Sequence, residues 1–264
     1  MTRPAVAEEL LTWTPGSGLV CGPPVGGRLL VADSWLVRDG RVRGLDRHRE
    51  RFVRACGEAG GPSVLRLLEF WHVMTDALPR TGEWFPRVEL AAGSGELRLL
   101  LRPAPPLGAE VRVWAAGQTD PRTVPRRKGP DLDALARVRD RASGAGAQEA
   151  VLVTPSGVVL EAATASVLWW EGDTLCLPAP QLPLLPGVTV GLIQARALRS
   201  GVRVAHRERT VAELDGREVW LVNALHGIRP VTGWTGRRLR AAEAVRAPEW
   251  RAWLDDSMEP LPDV

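Results

Sequence analysis

Arg126-Arg127-Lys128-Gly129-Pro130-Asp131 closes a polar, proline-broken stretch that divides the 264-residue chain into two differently patterned halves. Lys128 is the only lysine in the sequence; the other 33 of the 34 basic residues are arginine. Arginine supplies positive charge, but its delocalised guanidinium does not condense with a carbonyl. A lysine amine does, once it is deprotonated. By itself a lone lysine is an ordinary surface charge, so the pattern on either side decides what it is for.

Upstream, Leu29–Leu36 reads as a strand, Asp39-Gly40 as a hairpin turn, and Arg41–Leu45 as the returning strand. Asp46 is expected to cap a helix running to about Glu58, with His48 and Arg51 on one face. Gly60-Gly61-Pro62 breaks the chain, and Ser63 opens a second helix with Leu67, Leu68, Trp71 and Met74 at helical spacing. Three strands follow, at 84–91, 96–102 and 109–115. Residues 1–27, rich in Gly and Pro, read as an irregular lead-in with at most one strand. Strands and two helices in this order predict an α+β layer.

Downstream, Asp131 is expected to cap a helix that ends at Gly144. Short strands follow at 150–154, 158–160, 166–170 and 174–177. Pro186-Gly187 turns into a helix from about Val188 to Ser200, then a strand at 202–206 and a short helix at 210–214. An apolar strand at 218–222, a turn at Trp234-Thr235-Gly236 and a helix at 248–255 complete the half. The expected division is a small domain at 1–116, a linker at 117–130 that ends on Lys128, and a larger domain at 131–264.

Composition excludes several function classes. Acidic and basic residues number 31 and 34 and are interleaved, so no clustered basic face marks nucleic-acid binding. No apolar run reaches membrane-spanning length, and Met1-Thr2-Arg3-Pro4 opens no apolar leader, so a cytoplasmic location is expected. Cys21, Cys56 and Cys176 fit no metal spacing, and no metal is expected.

Five features carry chemistry. Pro186-Gly187-Val188-Thr189 puts free amides and a hydroxyl at a helix N-terminus, where phosphate binds readily. Arg51 could grip a phosphate with two donors, although any one of 33 arginines is a solvated charge by default. Glu161, at a strand end beside Ala162 and Ala163, could approach a flat ring and stabilise a protonated ring nitrogen. Asn223-Ala224-Leu225 closes an apolar strand with small and polar groups. Asp33 and Ser34 interrupt the first apolar strand and point to opposite faces.

The order of these blocks resembles the class IV (fold-type IV) pyridoxal-phosphate enzymes, which include branched-chain and D-amino-acid aminotransferases and 4-amino-4-deoxychorismate lyases. The resemblance rests on Asp39-Gly40, Asp46-x-His48-x-x-Arg51, Lys128, Gly157–Glu161, Leu185–Thr189 and Glu218–Ala224, and spans about 28–232. It implies a two-domain α+β fold, with a small α/β sandwich and a larger domain of barrel-like sheet and flanking helices. It implies pyridoxal 5′-phosphate (PLP) as cofactor, held covalently by Lys128. Glu161 would meet the pyridine nitrogen, and Arg51, Val188, Thr189 and Ala224 would hold the phosphate. Ser34, Asn223 and Leu225 would face a small-molecule amino substrate. A homodimer is also implied.

The Asn223-Ala224-Leu225 string is most similar to the lyase branch, which converts 4-amino-4-deoxychorismate to 4-aminobenzoate and pyruvate for folate biosynthesis. Amino transfer between amino acids and 2-oxo acids is the alternative. A non-catalytic homologue repurposed in a specialised pathway is the third. Three departures from the family pattern bear on substrate: Val31-Ala32-Asp33-Ser34-Trp35-Leu36 replaces the usual first-strand string, Ser166 stands where asparagine is usual, and with no tyrosine in the sequence there is no active-site tyrosine.

Overall fold

The computed structural model describes residues 8–21 and 27–263. The chain forms two compact units. The first takes the described residues up to Leu107, the tetrapeptide Arg127–Pro130, and the described residues from Ser257 onward. The second takes Gly108–Arg126 and Asp131–Asp256. The mixed α+β architecture follows the expectation, and Lys128 belongs to the first unit although residues of the second flank its tetrapeptide.

The first unit is built on a five-stranded antiparallel sheet, ordered Gly18–Cys21, Glu9–Thr14, Leu97–Leu101, Arg87–Ala91, Leu29–Ser34. The lead-in therefore holds a hairpin of two strands; its residues 1–7 and 22–26 lie outside the described residues. Helices Leu45–Glu58 and Val64–Asp76 bury Phe52, Leu67, Phe70, Trp71 and Met74. Burying such a side chain contributes ~1.5–3 kcal/mol each.

The hairpin at Asp39-Gly40 is present, with φ of 47° and 70°, the paired left-handed geometry that suits the strand twist. Asp46 is not the helix cap: Gly44 takes that position in left-handed conformation, and Asp46 pairs with Arg49 at 3.0 Å in the first turn.

The second unit contains a closed six-stranded ring: Val159–Ala162, Glu149–Val153, Val111–Thr119, Gly227–Thr235, Val219–Asn223 and Ser166–Glu171, the last pairing back to the first through Glu161 and Ser166. Two further strands, Thr174–Pro178 and Arg203–Arg207, extend the sheet. Alternating residues of the ring, including Val111, Val113, Val151, Val167, Trp169 and Leu221, form one buried cluster, as inward positions of a small barrel do. Opposite faces pack against helices. Leu132–Gly144 covers Ala150 and Leu152. Val188–Arg199 and Ala247–Asp256 enclose Trp170, Trp220 and Trp250, whose ring centroids lie 5.6–5.9 Å apart.

Three local expectations change. The strand expected at 109–115 runs on to Thr119. The turn expected at Trp234-Thr235 is the end of the nine-residue strand Gly227–Thr235, which contains Pro230 and Gly233 and so lacks a strand-like pattern. It tolerates Pro230 because pairing to Val111–Thr119 begins only at Val231. Asp131 stands at a helix N-cap but makes no cap bond. Its carboxylate accepts from the Thr123 hydroxyl at 2.8 Å and the Val124 amide at 2.9 Å, which folds the preceding loop.

Candidate functional site

The predicted residues fall into two groups, one in each unit. In the first, Lys128 is attached to the edge of the sheet: its carbonyl accepts the Ala32 amide at 2.8 Å. Gly129 permits this approach. It has φ of +130°, and a Cβ there would lie 2.7–2.9 Å from backbone atoms of Val31 and Ala32. Asp33 faces the helix Leu45–Glu58. Its carboxylate accepts the Ser34 amide at 2.7 Å, His48 Nδ1 at 2.8 Å, and a fork from Arg51, Nε at 2.8 Å and Nη2 at 2.7 Å. Burial opposes ionisation of Asp33, but Arg51 and His48 outweigh it and hold the carboxyl far below its usual range. Burial pushes the His48 pKa down against the pull of Asp33, and its ring lies tilted at 43° to Trp35 with the centroids 5.3 Å apart.

Burial also pushes Lys128 down to about 8, reinforced by Arg51, Arg87 and Arg102 and offset in part by Asp33. Its amine is therefore ~25% neutral at pH 7.5, against ~0.1% for an ordinary lysine. Ser34 is buried on the sheet face opposite Asp33 and pairs across strands with Arg87. Arg87 is held by Glu89, Nε to Oε1 at 2.7 Å. Arg102 donates Nε to the Phe85 carbonyl at 2.9 Å and lies over the Phe85 ring. It has no ion-pair partner within 4.0 Å among the described residues, and burial together with Arg87 lowers its pKa against the opposing pull of Glu8 and Glu89 at longer range. Arg87 and Arg102 carried no sequence signal, because nothing local separates them from the other arginines.

In the second unit, Glu161 is buried on the ring strand Val159–Ala162. Its Oε2 accepts Arg122 Nη1 at 2.6 Å and the Leu185 amide at 3.1 Å. Among the described residues its Oε1 has only the Ser166 hydroxyl, at 3.5 Å. Burial raises its pKa, and Arg122 and the Leu185 amide oppose the rise. Gly187 is the N-cap of the helix Val188–Arg199, without a side-chain cap, so the amides of Val188 and Thr189 stand among the orphan donors of the first turn. A Cβ at Gly187 would crowd Ser166 Oγ and Val190 at 3.1 Å. Thr189 is buried. Asn223 folds its own turn: Oδ1 accepts the amides of Leu225 at 3.2 Å and His226 at 2.8 Å, and Nδ2 donates to the Thr164 carbonyl at 3.2 Å. Ala224 and Leu225 are half-buried in that turn.

The sequence from residue 30 to 234 matches the family Amino-transferase class IV. The chain belongs to that family. It is a pyridoxal-phosphate-dependent enzyme. No protein in the curated set matches significantly.

Solved structures share the fold at low identity. An aminotransferase from Brucella abortus, bound to PLP, is 17% identical with a TM-score of 0.78, covering 94% of this chain and 98% of its own. A hypothetical aminotransferase from Mycobacterium tuberculosis, bound to α-ketoglutarate and PMP, is 23% identical with a TM-score of 0.76, covering 94% and 98%. A provisionally named 4-amino-4-deoxychorismate lyase from Legionella pneumophila is 17% identical with a TM-score of 0.72, covering 89% and 96%.

The residues present fit PLP. The depressed amine of Lys128 suits a covalent link to its aldehyde, Glu161 Oε1 lacks a strong donor, and the uncapped helix at Gly187 suits a phosphate.

Proposed function

We propose that the protein is a PLP-dependent lyase acting on an amino substrate with more than one carboxylate, of which 4-amino-4-deoxychorismate is the type. The observation that carries this reading is the arginine set around Lys128. Arg51 forks onto Asp33 and Arg87 pairs with Glu89, whereas part-buried Arg102 has no carboxylate within ion-pair distance among the described residues and feels Glu8 and Glu89 only at longer range. A part-buried cation of this kind is a strong site for a carboxylate. The lyase substrate offers two.

PLP when bound supplies an electron sink for charge left at the substrate Cα. The chain supplies the rest. Lys128 would carry the cofactor and, once released by substrate, would take the proton of the amine-bearing carbon on its amine and pass it to the departing enolpyruvate, which leaves as pyruvate. Glu161 accepts a hydrogen bond from the ring nitrogen. The amides of Val188 and Thr189, the Thr189 hydroxyl, Ala224 and Arg51 bind phosphate. Ser34, beside Arg87, and the Asn223–Leu225 turn face substrate.

Amino transfer is the second reading, supported by the aminotransferases among the structural relatives. Both reactions share proton removal at Cα and differ in which bond breaks next. Incubation with 4-amino-4-deoxychorismate is expected to give equal amounts of 4-aminobenzoate and pyruvate. Conversion of the cofactor to its amine form by amino acids, with no pyruvate from aminodeoxychorismate, would overturn the lyase reading. Any turnover removes the third reading, a non-catalytic homologue. We place the enzyme in the cytoplasm as a homodimer; among the described residues no helix is long and apolar enough to cross a membrane.

A further inference from the structure

Arg122 lies in the loop after the strand Val111–Thr119, and its side chain is only 7% exposed. It binds two carboxylates at once. Nε reaches Asp120 Oδ1 at 2.9 Å and Oδ2 at 3.0 Å, and Nη2 reaches Oδ2 at 2.8 Å. Nη1 reaches Glu161 Oε2 at 2.6 Å. The remaining donor capacity goes to the carbonyls of Pro125 at 3.2 Å and Pro183 at 3.3 Å. Pro183 opens the loop whose Leu185 amide also donates to Glu161 and whose end is the uncapped helix at Gly187. One guanidinium thus ties together the ring-facing carboxylate and the loop that leads into the phosphate-binding helix.

Both strong donors to Glu161 fall on the same oxygen. Oε2 is occupied, while among the described residues Oε1 keeps only the long contact to Ser166. A planar carboxylate clamped at one oxygen has its other lone pairs fixed in direction. The charges are also uneven. The cluster sets two carboxylates, Asp120 and Glu161, against the one guanidinium of Arg122, one cation short of balance, which a protonated ring nitrogen would supply.

We propose that Arg122 is a positioning residue, which clamps Glu161 through Oε2, aims Oε1 at the cofactor's ring nitrogen and, shared with Asp120, leaves one carboxylate unmatched by a cation for the ring N–H to meet. This inference rests on the reading that Glu161 meets the ring nitrogen. Its consequence is selective: Arg122 favours a ring that carries a nitrogen, beyond its contribution to folding.

The test uses the apoenzyme with two probes, PLP and 1-deazapyridoxal 5′-phosphate, whose ring has C–H in place of the nitrogen. Both keep the aldehyde and the phosphate. The ratio of their dissociation constants isolates the ring-nitrogen contact. Wild type is expected to prefer PLP by about tenfold or more, the range for a hydrogen bond to a charged group. Glu161→Gln should collapse the preference towards unity, and Arg122→Gln should collapse it by a similar factor.

If Glu161→Gln leaves the ratio unchanged, the reading of Glu161 fails and the inference falls with it. If Glu161→Gln collapses the ratio but Arg122→Gln weakens both probes equally and preserves it, the reading stands and the inference is overturned, because Arg122 then acts only structurally. Should Arg122→Gln not fold by circular dichroism, Arg122→Lys carries the comparison. It keeps one donor for Glu161 but loses the fork on Asp120, and an intermediate ratio is expected; a wild-type ratio there overturns the inference.

Discussion

Replacing Lys128 with methionine should make the apoprotein more stable at neutral pH. Methionine matches the lysine stem in length and removes the ammonium. The Lys128 pKa in the folded protein is about 8, against ~10.4 for an unfolded chain. Burial is the main cause, followed by the repulsion of Arg51, Arg87 and Arg102. A folded pKa below the unfolded one means that the unfolded state binds more protons between those values, so stability rises with pH across that window. Below about pH 8 the full penalty applies. A difference of ~2.4 pKa units at ~1.36 kcal/mol each is ~3 kcal/mol. Lys128→Met should therefore gain up to ~3 kcal/mol at pH 7, and the gain should fade between about pH 8 and 10.4. Urea denaturation of the two apoproteins at pH 7, 9 and 10.5 measures it. A variant no more stable than wild type at pH 7, or a gain that does not shrink as pH rises, would refute the reasoning that the amine is held against its own solvation.

Three other outcomes follow from named contacts. Asp33→Asn leaves Arg51 without its counter-charge and should cost ~3–5 kcal/mol at pH 7 by urea titration. Because the Asp33 pKa is depressed on folding, its contribution is present above about pH 3.9 and lost below it, so wild type and variant should converge in acid. Gly129→Ala, which drives a Cβ to within 2.9 Å of the Val31 and Ala32 backbone, should cost ~1–3 kcal/mol and slow covalent capture of PLP; unchanged stability and capture would show that the backbone there yields freely. Thr189→Val, nearly isosteric, should raise the dissociation constant of PLP roughly five- to tenfold by removing one hydroxyl from the phosphate, measured by fluorescence titration; an unchanged constant would remove Thr189 from the phosphate site.

Much of the fold was legible because its signals are local. The hairpin at Asp39-Gly40, the helix with His48 and Arg51 on one face, and the Pro-Gly entry to the helix at Val188 each depend on a few adjacent residues. The strand Gly227–Thr235 was not legible, since ring closure rather than propensity makes Gly-Ile-Arg-Pro-Val-Thr-Gly-Trp-Thr extended. Asp46 and Asp131 look like helix caps in sequence, yet one lies inside the first turn and the other folds the loop before it. The site divides in the same way. Lys128 stood out as the only lysine, whereas Arg122 and Arg102 are two of 33 arginines. They become distinct only when burial and partners set them apart: two carboxylates in ion-pair contact with Arg122, and none at that distance from Arg102 among the described residues. Asp33 could be seen interrupting an apolar strand, but its three-way junction with His48 and Arg51 exists only once strand and helix pack.

The most direct test of the account is to load the apoprotein with PLP, reduce it with borohydride and weigh the intact chain. Apart from the chain terminus, Lys128 offers the only amine in the sequence, so the reading is unusually clean. The account predicts one reduced cofactor per chain, mapped to the peptide containing Lys128 and absent from Lys128→Met. No label, label confined to the chain terminus, or undiminished label in Lys128→Met would contradict it.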